Sequence, residues 1–266
     1  MEGSVADPSR PVSAPEVPPP ALDRVVGWLR ETARRRADRV VDVPGGWGLL
    51  HTRYPAAHDH NLLLVWKPVD AGAVLAAADR VLGGAGLTHR RVQVQNLAVA
   101  DGLDAGLRAA GYARENELLM RYAGDPQITG GVAPVVALTL EERIAAASAA
   151  WTADQPGWSP EVCGQLGGRI RTAPEAAEVS FLAVRERERV LARADLFVRD
   201  GIAQVEEVGT EPEARNRGLA SALVREGVRR AGVDLVFLVA DADDWPAALY
   251  RRLGFVELGR TVSFSR

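Results

Sequence analysis

One cysteine, Cys163, is all the thiol chemistry in 266 residues. That excludes an intrachain disulfide and any multi-cysteine metal centre, and a lone cysteine reads as a small buried hydrophobe. Neither sign of charge is in surplus: 32 Lys and Arg stand against 35 Asp and Glu, for a formal net charge of −3. Without a basic excess, nucleic acid is not an expected partner. Long apolar runs are lacking too. None nears the roughly 20 residues that cross a bilayer, and the opening MEGSVADPSRPVSAPEVPPP has no apolar centre for a signal peptide. No membrane partner and a cytoplasmic setting are expected. Histidine is scarce, yet three of the four fall in HTRYPAAHDHN, His51 to Asn61. His58, Asp59 and His60 raise a metal site, but two histidines two apart with no other obvious ligand read better as polar surface or interdomain contact, so no metal is expected.

What is present suggests two domains, since 266 residues exceed one typical small domain. Residues 1–20 are rich in Pro and poor in large apolar side chains, and cannot bury enough surface to offset the entropy of ordering. They are expected to be a disordered tail. Gly and Pro cluster again in YAGDPQITGGVAP, Tyr122 to Pro134, which divides a domain of residues 21–125 from one of residues 132–266. In the second, PVVAL reads as a strand. TLEERIAAASAAW follows as a helix with Thr139 and Glu142 in a capping box, and a further helix is capped by Ser159 with Pro160 at its first position. EVSFLAVRE, RVLARADLFVR and IAQVEEVGT then form an antiparallel meander, with RDG as the last hairpin turn. A helix from about Arg217 to Ala231, the strand DLVFLVA, a helix through WPAALYRRL and a closing strand FVELGRTVSFSR complete the order.

The stretch EARNRGLASAL, Glu213 to Leu223, puts two arginines and a glycine at the mouth of a helix. Free backbone N–H groups and the helix dipole favour an anion there, and glycine allows the close approach. With Arg215-Asn216-Arg217-Gly218-Leu219-Ala220 between strand and helix, and LYRRLGF (249–255) about 30 residues on, residues 132–266 resemble the GNAT superfamily of N-acetyltransferases. The resemblance implies an α/β (α+β) fold with a mixed, mostly antiparallel sheet flanked by helices. It implies acetyl-CoA as co-substrate, its pyrophosphate on the N–H groups of Arg215 to Ala220 and on the hydroxyl of Ser221. It further implies that the pantetheine arm pairs with the strand around Val208 and Thr210, that Tyr250 acts as general acid, and that a strand glutamate, Glu206 or Glu207, acts as base. Period-two alternation sends those two glutamates to opposite faces, with Glu206 on the face of Val208 and Thr210. The family's acceptor pocket is usually framed by the first two helices, here WTADQPGWSP. Trp151 and Trp158 flanking Asp154 suit a cationic amine; Trp151 in the core and Asp154 capping a turn is the alternative.

Subtracting 143 lays Gly254-Phe255 on Gly111-Tyr112, QVEEVG on NLLLVW (61–66) and DLVFLV on RVQVQN (91–96). The first half therefore reads as a degenerate GNAT-like domain in tandem with the second. Arg215, Gly218 and Tyr250 fall on Gly72, Leu75 and Leu107, so one acetyl-CoA site is expected rather than two. The expected activity is acetyl transfer to a primary amine, the acceptor being a small molecule or peptide, and a homodimer is compatible with it. The alternative is a non-catalytic acyl-CoA-binding sensor or interaction module.

Overall fold

The computed structural model describes residues 19–125, 133–242 and 244–266. Most of the tail expected to be disordered, and residues 126–132 of the expected boundary, lie outside them. In chain order the elements are α1 (Pro19–Arg36), β1 (Arg39–Val43), β2 (Gly46–Leu50), β3 (Leu62–Val65), α2 (Ala71–Val81), β4 (Arg91–Val94), α3 (Leu97–Ala109), β5 (Ala113–Tyr122), β6 (Val136–Leu138), α4 (Leu140–Asp154), α5 (Pro160–Gly168), α6 (Ala173–Ala176), β7 (Glu178–Glu186), β8 (Arg189–Arg199), β9 (Ile202–Thr210), α7 (Leu219–Ala231), β10 (Leu235–Asp241), α8 (Pro246–Arg252) and β11 (Phe255–Ser265).

Local chemistry fixes many of these boundaries. The Thr139 hydroxyl accepts from the Glu142 N–H while the Glu142 carboxylate accepts from the Thr139 N–H, which starts α4. Ser159 caps α5, with Pro160 at its first position. The β8–β9 hairpin turns through Asp200 and Gly201, both at positive φ (52° and 70°), the sense of turn that matches strand twist. Helix α1, preceded by no strong cap signal, went unread in the sequence because its apolar residues alternate with a run of arginines.

All eleven strands join one sheet, in the order β1-β2-β3-β4-β11-β5-β10-β9-β8-β7-β6. Most pairs are antiparallel; β3–β4 and β9–β10 are parallel. The two halves repeat the same order, β1-β2-β3-α2-β4-α3-β5 against β7-β8-β9-α7-β10-α8-β11. At the centre they interlock: β11 lies between β4 and β5, and β5 lies between β11 and β10. Each half thus lends its last strand to the other, so the sheet expected for each half is here continuous with its neighbour's. The repeat is visible as expected, but its register moves. Residues Leu235 and Ile202 pair in the second half, whereas Val92 pairs with Leu63 in the first. The offset of 143 holds for β4 and is four residues out for β3.

Both sheet faces are covered. On one, α7 and α8 pack Leu219, Leu223, Val224 and Tyr250 against Leu182, Leu196, Val205, Leu118 and Met120. On the other, α1 lays Val25 and Trp28 over Leu119, Phe197, Ile202 and Phe237, residues of β5, β8, β9 and β10. The Trp28 indole N–H donates to the Arg199 carbonyl (3.2 Å) and the Arg199 guanidinium donates back to the Trp28 carbonyl (2.8 Å). A helix of the first half therefore forms part of the core of the second.

Candidate functional site

Strands β9 and β10 are paired only from Ile202–Gln204 to Leu235–Phe237, so beyond Gln204 the β10-facing edge of β9 is unpaired while β8 continues along its other edge. Helix α7 begins at this opening. Its N-cap, Gly218, sits at φ 75°, ψ 10°, and no side chain caps it. The first N–H groups of a helix have no intrahelical acceptor, so those of Leu219, Ala220 and Ser221 point at whatever lies beyond the N-terminus. A cavity of about 570 Å³ lies there, walled by Val208, Gly209 and Thr210 and by Arg215, Asn216, Gly218 and the first turn of α7. Arg193 and Arg252 also line it, with Asp154 and Glu211 as its carboxylates, Glu211 lying 3.6 Å from Arg193. Asn216 reaches the loop's shape at φ 61°. Arg217 stands outside this cavity, 3.6 Å from Glu186.

A second cavity of about 410 Å³ meets the first at Val208, Pro246 and Tyr250. About half of its lining comes from the first half of the chain, including Thr32, Arg36, His51 and His60. Glu206 and Glu207 both face it. Alternation had sent them to opposite faces, but the β8–β9 register slips between Arg193 and Asp195, and Glu207 bulges at φ 55°. The bulge resets the phase, so neighbouring residues share a wall.

The two glutamates differ in charge state. Glu207 lies 2.6 Å from Arg169 and 3.6 Å from Arg143, and those guanidiniums outweigh burial and hold its carboxyl at about 2. Arg143 is fully buried and forms two bonds to buried Asp195, at 2.6 and 3.0 Å. Glu206 has only Arg36 at 3.8 Å, and desolvation pushes its pKa above the usual carboxylate range. Burial also raises Tyr250, which is 7% exposed on α8.

The expected acceptor residues are placed differently. Trp151 and Trp158 stack on one another, centroids 5.8 Å apart and planes 17° from parallel, and line neither cavity; Asp154 lines the α7 cavity. The Glu206 cavity is instead lined by Thr32, Arg36 and Arg169, which the sequence reading passed over, and by His51 and His60, from the segment it read as polar surface or interdomain contact. The histidine cluster was its one visible signal. His58 stacks on His89 at 3.8 Å, and among the described residues no group of three or more His, Cys, Asp or Glu is arranged to hold a metal ion.

Two features set the equivalent place in the first half apart. Strands β3 and β4 stay paired to the end of β3, where the Gln95 N–H donates to the Val65 carbonyl. At the start of α2, where the second half has Gly218, stands Asp70, whose carboxylate accepts from the Ala73 N–H at 2.9 Å. An anion is already built into that helix terminus.

An open strand edge beside a helix N-terminus that no side chain caps leaves backbone N–H groups free for a ligand. Residues 177–257 match the family described as "Acetyltransferase (GNAT) domain". Mycothiol acetyltransferase of Clavibacter sepedonicus is 32% identical over 174 residues, 59% of this chain and 57% of that one. The protein of the same name from Pseudarthrobacter chlorophenolicus is 42% identical over 67 residues, 24% of this chain and 21% of that one. The chain thus matches little more than half the length of these curated relatives, or less. A GCN5-related N-acetyltransferase from Kribbella flavida shares the fold at a TM-score of 0.61 and 20% identity, covering 91% of this chain and 94% of that one. A tandem GNAT protein from the clavulanic acid biosynthesis pathway does so at 0.50 and 14%, covering 74% and 67%. Among the described residues no helix is long and apolar enough to cross a membrane.

Proposed function

We propose that the chain is an acetyl-CoA-dependent N-acetyltransferase that moves an acetyl group to a primary amine by direct attack on the thioester. The observation that carries this reading is the junction at Tyr250, where the cavity on the open N-terminus of α7 meets the cavity holding Glu206. The residues fit the co-substrate: N–H groups of Leu219 to Ser221 suit a pyrophosphate, with Arg215 and Arg252 adding charge. The free edge of β9 at Val208 and Thr210 suits the amides of a pantetheine arm, which would add as a strand does.

When bound, acetyl-CoA supplies an electrophilic thioester carbonyl at the junction. Glu206 accepts the proton of the acceptor ammonium, and its raised pKa makes it a better base than an ordinary carboxylate. The freed nitrogen lone pair bonds to the carbonyl carbon, the C–S bond breaks, and the Tyr250 hydroxyl gives its proton to the departing thiolate. Burial keeps that hydroxyl protonated at neutral pH. Glu207, locked between Arg169 and Arg143, serves as a fixed charge that orders the wall. We assign no acceptor contact to Trp151 or Trp158. A cytoplasmic setting belongs to this reading, and the names of the curated relatives put mycothiol-related acceptors in the first screen.

Gly218→Val is the test. A β-branched residue at φ 75° is strained and crowds the loop, so acetyl-CoA affinity by calorimetry should fall by a hundredfold or more, about 2.7 kcal/mol. Unchanged affinity would overturn the reading. Thiol release with a panel of amines separates turnover from binding alone.

A further inference from the structure

Most charged side chains of the Glu206 cavity already have partners. Arg169 is held by Glu207 at 2.6 Å, Arg91 reaches Asp59 at 3.2 Å, and Arg36 donates to the Thr172 hydroxyl at 3.3 Å and lies 3.8 Å from Glu206. Glu117 accepts from the Thr261 hydroxyl at 2.8 Å and from Gln93 at 3.2 Å. Apart from Arg91 Nε, which is ion-paired with Asp59 without a hydrogen bond, the uncommitted groups are neutral. On the wall from the first half, the Thr32 hydroxyl is buried without a hydrogen-bond partner, although the residue is only 6% exposed. His51, 1% exposed, is near the Arg36 backbone but short of hydrogen-bond geometry, and neither ring nitrogen is bonded. Nδ1 of His60 is likewise unbonded, and its ring lies 5.1 Å from that of His51.

Buried polar atoms are nearly always satisfied, and a cluster of orphans around one cavity calls for a ligand that satisfies them. An anion is a poor match, because burial and the nearby guanidiniums hold both imidazoles uncharged: His51 titrates at about 4 and His60 well below its ordinary value. A neutral imidazole offers one N–H and one lone pair, and a threonine hydroxyl both donates and accepts. The group that answers all three is another hydroxyl.

Resting on the acetyltransferase reading, we propose that Thr32, His51 and His60 form a specificity wall, contributed by the first half, that selects a hydroxyl-bearing amine such as an amino sugar or amino alcohol over a plain alkylamine. The ammonium lies at Glu206 and the hydroxylated part extends towards α1 and the His51–His60 segment. A site built to bond hydroxyl groups rejects the analogue that lacks them, since its own polar groups are then left buried and unpaired.

The test compares glucosamine with cyclohexylamine, first by calorimetry on the full chain with CoA present and then by thiol release from acetyl-CoA. The wild type should prefer glucosamine by roughly tenfold or more in Kd and in kcat/KM. Thr32→Val, which removes the hydroxyl at constant shape, and His51→Phe should each reduce that preference severalfold. Equal binding of the two amines by wild type overturns the proposal without any variant having to fold. So does a Thr32→Val protein whose preference matches wild type. If acetyl-CoA itself fails to bind, the acetyltransferase reading falls, and this inference with it; if acetyl-CoA binds and both amines react alike, this inference alone falls.

Discussion

Tyr250 lines both cavities and Glu206 one of them, and their separate environments give each a distinct test. Tyr250→Phe keeps the ring and loses only the proton, so turnover should drop by about 100- to 10,000-fold with acetyl-CoA affinity near wild type; wild-type turnover would return Tyr250 to a packing role. Glu206 is protonated below its raised pKa, so the rate should fall as pH falls through a midpoint above the ordinary carboxylate range, and Glu206→Gln should abolish that limb. Glu207 works in the opposite sense. Its folded pKa of about 2 lies below the unfolded value, so its contribution is present above about 4.3 and is lost as pH falls towards about 2. Glu207→Gln removes the close carboxylate of Arg169 and leaves Arg143 with Asp195 alone, and should cost about 1.5–3 kcal/mol in urea unfolding at pH 7, a gap that narrows between pH 4 and 2.

Among the elements, the start of α7 and the start of α2 occupy the same place in the two halves and differ in one cap. Gly218 leaves a helix terminus open; Asp70 fills one with its own carboxylate. Acetyl-CoA should therefore bind at one equivalent per chain. Asp70→Ala should cost about 1 kcal/mol of stability, as the loss of a good cap does, and still give one equivalent, because β3 and β4 remain zipped. The glycine loop, the capping box at Thr139, the meander and the repeat were all legible in the sequence because each rests on local patterning. Asp70 was missed, since the offset of 143 put Leu75 opposite Gly218. The face of Glu207 was missed for a related reason: a bulge is one residue out of phase, and alternation cannot announce it. The proposed acceptor wall was the least legible part. His51, Thr32 and Glu206 are far apart in the chain, and only the interlocking of the halves brings them to one cavity.

In the whole molecule, the exchange of β5 and β11 makes the two halves one cooperative unit. Residues 19–125 alone would lack the strand between β4 and β5, and residues 133–266 alone the one between β10 and β11. Neither fragment should show a cooperative melt alone, while a mixture of the two should regain one and, with it, acetyl-CoA binding; a folded, monomeric fragment would refute this. The intact chain should unfold in a single transition by both fluorescence and circular dichroism. The same crossing governs how the protein is made. While β4 and β5 leave the ribosome, the strand that belongs between them is still unsynthesised, so the nascent first half must wait with a raw slot in its sheet. A slot of that shape can also accept β11 from another copy when copies are crowded, which makes dense synthesis the moment of hazard for this fold and interleaved, strand-exchanged oligomers its expected misassembly.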